Sequence, residues 1–266
     1  MAIANLALVC SQIGRPSTGI MALRGQNNVQ GASDLGPLPA ALPGYQAVAD
    51  EKVREKFGKA WGRKINKEPG LKSVEMLDEC VRGTFKGIFI LGEDPAQTDP
   101  DLGHVRKALE AVDFLVVQDI FHTETTRFAD VILPGASFAE KDGTNNGERR
   151  IQRVRKVVPP VAGLAEWEVI CKLSTLMGCP MSYNSPADIM DEIASLVPIY
   201  GGISYDRLEE KNIQVPPPST PTSLPEQMDL LPLCHLTTGA QVRCRTIRTL
   251  WCSSPAESVS ITTTVR

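Results

Sequence analysis

Gly87-Ile88-Phe89-Ile90-Leu91-Gly92-Glu93-Asp94-Pro95 carries the strongest fold signal in the chain. Five residues, four of them large and apolar, run without a polar interruption and then meet a turn of Gly, acidic residues and Pro. Two further runs resemble it, Asp113–Val117 and Asp130–Leu133. Continuous apolar runs of this length are typical of parallel strands that are covered on both faces.

Helical patterns alternate with these runs. The pattern of Leu102, Val105, Leu109 and Val112 predicts an amphipathic helix between the first two strands, and 123–129 allows about two helical turns before the third. Helices are also predicted at 74–81, 166–177 and 186–197. Strands alternating with helices indicate an α/β fold, doubly wound around a mainly parallel sheet, with right-handed crossovers.

The remaining segments set the predicted organisation of the chain. Residues 14–44 are rich in Gly, Asn, Gln and Pro and are predicted to form one long loop, a feature that is uncommon unless it is functional. The α/β part is predicted at 74–200, inside a unit spanning 1–212. Residues 56–73 are charged and expected to be exposed. A Pro/Ser/Thr-rich tail, 213–266, is expected to be disordered or aberrant, for example through a frameshift.

Composition excludes several classes of function. The chain has 266 residues and a net charge of -3, which gives no reason to expect nucleic acid as a partner. No apolar run approaches the roughly 20 residues of a membrane span. Residues 2–10 lack the basic start of a signal peptide and are predicted to form a buried helix, so we expect a cytoplasmic location. The seven cysteines include no Cys-x-x-Cys pair, and no metal ligands are predicted.

Polar residues follow two neighbouring strands. The first predicted strand ends in Gly92-Glu93-Asp94 and the second in Gln118-Asp119. Ligands of open α/β sheets bind beyond the carboxyl ends of the strands, and a carboxylate there accepts two hydrogen bonds from a ribose diol or from guanine. Alternatively, acidic residues simply begin the following loops.

Two other loops carry candidate ligand contacts. Residues 140–152 combine glycines with Lys141, Thr144 and Asn146, which could donate to phosphate oxygens. In residues 23–31, Arg24 stands beside amides and glycines without a neighbouring acid. Its guanidinium suits a small carboxylate. A solvated loop and a surface arginine are the plainer interpretations.

These motifs together resemble the molybdenum- or tungsten-dependent formate dehydrogenase alpha subunits, within the wider molybdopterin oxidoreductase family. The resemblance covers about residues 2–211. It is carried by Gly14-Arg15-Pro16, by 23–31 with Asp34 and Gly36, by Leu42-Pro43-Gly44-Tyr45, by 90–95, by 117–134 and by 146–152.

The resemblance implies two molybdopterin guanine dinucleotides around one Mo or W ion, with electrons leaving from formate through an iron–sulfur cluster to further subunits. Gly92, Glu93, Asp94, Gln118 and Asp119 would face a guanosine end, and Lys141 and Glu166 would contact the cofactor. Arg24 and Gln26 would hold formate. The segments that bind the metal and the cluster in the family have no counterpart here, so we expect a fragment that is inactive alone.

Two alternatives remain open from the sequence. A non-catalytic subunit of the type found in the large subunit of complex I would keep the fold as an electron-transfer scaffold. Another oxyanion or carboxylate reductase of the superfamily would need a different residue at position 24. The motif around Arg24 favours formate.

Overall fold

The computed structural model describes residues 2–13, 18–20, 25–147 and 149–214. Within these ranges, three separate sheets are connected by helices. None of the described helices is both long enough and apolar enough to cross a membrane. The helices are α1 (Ala2–Val9), α2 (Val29–Asp34), α3 (Glu51–Trp61), α4 (Ser73–Val81), α5 (Pro95–Thr98), α6 (Leu102–Ala111), α7 (Glu166–Leu176), α8 (Pro186–Leu196) and α9 (Tyr205–Glu210), with 3-10 turns at Thr125–Phe128 and Pro198–Tyr200. The strands are β1 (Ala41–Leu42), β2 (Gln46–Ala47), β3 (Gly87–Leu91), β4 (Phe114–Asp119), β5 (Val131–Pro134), β6 (Gly143–Gly147), β7 (Arg150–Val154) and β8 (Ile213–Gln214).

The central sheet confirms the predicted α/β class. Strands β3, β4 and β5 lie in that order and pair in parallel, with Leu91 opposite Gln118 and Gln118 opposite Leu133. Helices α4 and α6 pack together in the same core. Its buried side chains include Leu77, Cys80, Ile88, Ile90, Val105, Leu109, Leu115 and Val117. The alternation of strands and amphipathic helices therefore placed this core correctly.

The prediction that the strands are covered on both faces is wrong for part of the sheet. Phe114 is 49% exposed, and β5 exposes both Val131 and Ile132. An apolar run predicts that its side chains are buried, but it does not identify the element that covers them. In the described residues, one face of β4 carries the core and β5 is an exposed edge.

A second region, formed around an antiparallel sheet, follows the first. Strand β7 lies between β6 and β8, and its Ile151 packs in a core with Met190, Val197, Tyr200 and other apolar residues from the last helices. Strand β8 occupies the first two residues after the predicted boundary at 212, and its Ile213 is buried. The division into 1–212 and a tail stays a prediction, and 215–266 lies outside the described residues.

Two local predictions were wrong, and a third holds only in part. Helix α1 exists, but none of its residues is buried, and Cys10 beside it is exposed. The segment 14–44 is not one loop, because α2 and β1 lie within it. The exposure expected for 56–73 holds for most of these residues, but Phe57, in the part that belongs to α3, is fully buried, and Ser73 is buried too.

The sequence contains the signals for α3. Asp50 caps its first turn by accepting a hydrogen bond from the Lys52 amide, and Gly62 ends it in the left-handed conformation at φ 62°. The sequence analysis did not predict this helix, because charged residues dominate the segment and mask its apolar face. The two turns predicted at 123–129 are a single 3-10 turn.

Candidate functional site

The carboxyl edge of the parallel sheet brings together the residues that follow its strands. We use "carboxyl edge" for Gly92, Glu93, Asp94, Gln118, Asp119 and Gly135. The Gly92 amide donates to the Gln118 carbonyl at 2.8 Å, and the Gly135 amide donates to the Asp119 carbonyl at 2.9 Å. Gly92 has φ 65°, a left-handed conformation that favours glycine. The predicted juxtaposition of the β3 and β4 ends is therefore present.

Gln118 has an unused acceptor at this edge. Its side chain is fully buried, and its Nε2 donates to the Pro134 carbonyl at 3.2 Å. Its Oε1 is buried and has no hydrogen-bond partner among the described residues. A buried amide oxygen without a donor costs about 1–3 kcal/mol, so Gln118 is a strong candidate to accept from a ligand N–H.

The carboxylates of the edge differ in their surroundings. The half-buried Asp119 accepts at Oδ1 from the Phe121 amide, 3.0 Å away. Asp94 Oδ1 accepts from the Thr125 amide at 2.8 Å and from the Thr125 hydroxyl at 2.6 Å. Glu93 is half-buried. Asp94 thus joins the loop after β3 to the 3-10 turn before β5, whereas Asp119 accepts from the residue two positions after it.

Lys141 and Glu166 form a buried ion pair instead of standing as separate donors and acceptors. Lys141 Nζ lies 2.6 Å from Glu166 Oε1, and the two side chains are only 10% and 9% exposed. Lys141 also donates to the Ala136 carbonyl at 2.7 Å, while the Ala136 amide donates to Glu166 at 3.2 Å. The pair therefore fixes the loop that follows β5 onto α7.

Gly135 shows how closely the backbone is packed there. A Cβ atom at this position would lie 3.1 Å from the backbone carbon of Asp119 and 3.3 Å from the backbone nitrogen of Ile120.

Beside the edge lies an open depression of about 300 Å³, a volume at the lower end for ligand sites. It is lined by His122, Thr123, Glu124, Thr126, Arg127 and Ile132.

The predicted formate contacts lie in a different part of the chain. Arg24 lies outside the described residues, and Gln26 is exposed. The residues after Gln26 are bound to the β6 strand: Asn145 Nδ2 donates to the Asn27 carbonyl at 3.1 Å, and the Asn146 amide donates to Asn28 Oδ1 at 2.9 Å.

Sequence reasoning missed a group of polar side chains beside this contact. We name Gln30, Asp34, Tyr45, Asn146 and Tyr200 the Asp34 cluster, because the other four donate to that carboxylate. Asp34 and Tyr45 lie in motifs that carry the family resemblance, but the sequence predicted no role for either side chain. Their partners are up to 166 residues away, so no local signal joined them.

Among the described residues, no three His, Cys, Asp or Glu side chains converge as a metal site would require. The side chains that could hold a nucleotide cofactor are instead those of the carboxyl edge. Gln118 Oε1 and Asp119 supply acceptors there, and Gly92 and Gly135 are half-buried. These features fit a ligand with N–H and O–H donors, such as a guanosine.

Comparison with known proteins gives one family. The model for the molybdopterin oxidoreductases matches residues 1–176. The probable oxidoreductase YjgC of Bacillus subtilis is 46% identical over 213 residues, which is 79% of this chain and 22% of that protein. The F420-dependent formate dehydrogenase subunit alpha of Methanocaldococcus jannaschii is 48% identical over 220 residues, which is 81% of this chain and 32% of the relative.

Two further similarities complete the comparison. A putative formate dehydrogenase of Staphylococcus haemolyticus is 46% identical over 213 residues, covering 79% of this chain and 22% of its own length. Acetylene hydratase from Pelobacter acetylenicus matches in structure with a TM-score of 0.45 and 18% identity, over 60% of this chain and 23% of that one. The chain thus spans a third or less of the length of these curated relatives.

Proposed function

Because this chain belongs to the molybdopterin oxidoreductase family, we propose that it forms part of a formate dehydrogenase alpha subunit that oxidises formate to carbon dioxide. The observation that carries the proposal is the 46–48% identity to formate dehydrogenases over about four fifths of the chain. The Arg24-Gly25-Gln26-Asn27-Asn28 motif supports formate as the substrate, because a guanidinium matches a one-carbon carboxylate.

The carboxyl edge is the proposed site for the guanosine end of a molybdopterin guanine dinucleotide. Gln118 Oε1 and the Asp119 carboxylate would accept from the base and its ribose, and Gly92 and Glu93 would line the approach. Asp94, Lys141 and Glu166 would act on the cofactor through the loops that they fix. When bound, the molybdenum or tungsten cofactor takes two electrons from the substrate.

The protein's own part in the reaction is orientation. Arg24 would hold the formate oxygens in one plane, and Gln26 would donate or accept beside it, so that the C–H bond is presented in one direction. Transfer of the electrons to an iron–sulfur cluster, further electron-transfer subunits and a cytoplasmic location stay predictions.

Cofactor binding is tested on the chain itself. The chain would be produced in a host that makes the molybdenum cofactor, and the guanosine monophosphate released from the purified protein by acid would be quantified. Gln118→Leu should lower the guanosine content about tenfold, since it removes the buried acceptor. Gln152→Leu, on the exposed face of β7, is the matched control and should retain it. Equal content in both variants would refute the proposed cofactor site.

Formate oxidation is tested in a chimera. Residues 2–211 would replace the matching segment of the Methanocaldococcus jannaschii subunit, and formate-dependent dye reduction would be measured. We expect turnover, and we expect Arg24→Ala to lower kcat/KM at least about 100-fold with guanosine content unchanged. A chimera that holds the cofactor but does not use formate would refute the substrate assignment and favour a scaffold subunit.

A further inference from the structure

Asp34 is a buried carboxylate whose hydrogen-bonding capacity is fully used. It is 3% exposed. Oδ1 accepts from Gln30 Nε2 at 2.7 Å and from the Tyr45 hydroxyl at 2.9 Å. Oδ2 accepts from Asn146 Nδ2 at 2.5 Å and from the Tyr200 hydroxyl at 3.1 Å. Two donors on each oxygen satisfy the four lone-pair positions of a carboxylate.

The donors come from four distant parts of the chain. Gln30 and Asp34 lie in α2, Tyr45 lies in the turn between β1 and β2, Asn146 lies in β6, and Tyr200 ends a 3-10 turn that packs in the second core. Burial and the neighbouring Asp34 carboxylate raise the pKa of Tyr200, which keeps its hydroxyl protonated as a donor. Asp34 is therefore the point at which these segments meet.

The cluster is continuous with the segment that follows Gln26. Asn146 donates its side-chain amide to Asp34 and its backbone amide to Asn28. Gly31 lets α2 approach, because a Cβ there would lie 2.4 Å from Asn28 Oδ1 and 3.4 Å from Asn146 Cβ. The position of residues 25–31 thus depends on Asn146, and the orientation of Asn146 depends on Asp34.

We propose that Asp34 is a positioning residue that holds segment 25–31 on strand β6 and so sets the place of the substrate contact Gln26. The functional half of this statement rests on the formate dehydrogenase function proposed above. The anchoring half rests only on the described hydrogen bonds. Among the described residues, the donors to Asp34 are four neutral groups, and no lysine or arginine pairs with it.

The anchor is tested by amide hydrogen exchange on the whole 266-residue chain, without cofactor or formate. Asp34→Asn keeps the size of the side chain and removes the charge that the four donors share. We expect exchange in 25–36 and 143–147 to rise at least about tenfold, with no change in β3 and β4, since local opening free energies differ between regions. Asp50→Asn, an exposed helix cap, is the matched control and should leave 25–36 unchanged.

Two outcomes decide the anchor. An increase in exchange rate that is confined to the two segments supports the anchor. An equal increase throughout the chain, or no increase in these segments, overturns it. If Asp34→Asn fails to fold, Tyr45→Phe removes one donor from a half-exposed side chain and should raise exchange in the same segments by a smaller factor.

The substrate role is tested separately in the chimera. Asp34→Asn should raise the KM for formate about tenfold while guanosine content stays constant, because misplacement of a binding group weakens orientation. Anchoring with unchanged KM would show that segment 25–31 does not contact the substrate, which overturns the functional half alone. A parent chimera without formate oxidation would instead refute the proposed function and leave the exchange result standing.

Discussion

Glu166 at the start of α7 and Asp34 at the end of α2 are both buried carboxylates, and as whole residues they are 7% and 3% exposed. Glu166 pairs with the lysine ammonium of Lys141, whereas Asp34 accepts from four neutral donors. An ion pair needs one partner of opposite charge, and that partner must also lose its water. Neutral donors lose less on burial, but three of the four must come from segments other than the helix of Asp34. The first arrangement therefore fixes one loop, and the second joins four segments.

The largest loss of folding stability is expected when the Lys141 ammonium is removed from the ion pair with Glu166. Lys141→Met leaves the Glu166 carboxylate buried, with the Ala136 amide as its one remaining donor among the described residues. We expect a loss of about 3–5 kcal/mol in the free energy of unfolding, measured by urea denaturation at neutral pH. Lys86→Met is the matched control, because Lys86 pairs with Asp113 at 3.1 Å on the surface and both side chains are more than half exposed. It should cost less than about 1 kcal/mol.

A loss for Lys141→Met as small as that of Lys86→Met would show that water reaches Glu166. The double variant Lys141→Met/Glu166→Leu gives a second check. It removes both charges, and it should recover most of the loss if an uncompensated charge is the cause.

A smaller loss is expected when the Asp34 cluster loses one donor. Tyr200→Phe removes a hydroxyl from a buried charge but leaves three donors, so we expect a cost of about 2 kcal/mol in the same urea experiment. Tyr183→Phe is the control, since its hydroxyl donates to Glu192 at 2.6 Å in a more open place. It should cost about 1 kcal/mol or less. Equal losses would mean that burial of Asp34 does not strengthen its hydrogen bonds.

The smallest effect concerns a half-buried carboxylate, Glu140, in the loop after β5. The amides of Val161 and Ser137 donate to Glu140 and lower its pKa below the usual 4.5. A lowered pKa stabilises the fold above the unfolded value, and this stabilisation is lost as pH falls through the folded value. Glu140→Gln should therefore flatten the decrease in urea midpoint below about pH 4.5. An unchanged acid limb would show that these amide contacts do not form in solution.

The comparison also shows which parts of the site could be predicted. Gln118 and Asp119 were placed correctly beside Gly92, because a parallel sheet aligns its strand ends whatever the side chains are. The pairing of Lys141 with Glu166 was not predicted, since the residues are 25 positions apart and their proximity depends on the loop after β5. Both were expected as cofactor contacts, and that expectation stays a prediction.

The fold, like the site, has parts that the sequence predicted and parts that it did not. Apolar periodicity predicted α6, α8 and the three parallel strands within one or two residues. It did not predict that helix α1, with four apolar side chains at 54–79% exposure, lies outside the core. Periodicity reports the face that an element buries, and the partner for that face is a tertiary property.

By itself, the sequence determined the α/β class, the three parallel strands with the amphipathic helix between the first two, and the family, because these depend on local apolar patterns and contiguous motifs. The tertiary structure alone decided which polar groups are used internally. Asp34, Asn146 and Tyr200 meet across as many as 166 residues, and Asp94 accepts from Thr125 across 31. A carboxylate has the same identity in a loop and in a buried cluster, and only the positions of its donors determine whether it can still bind a ligand.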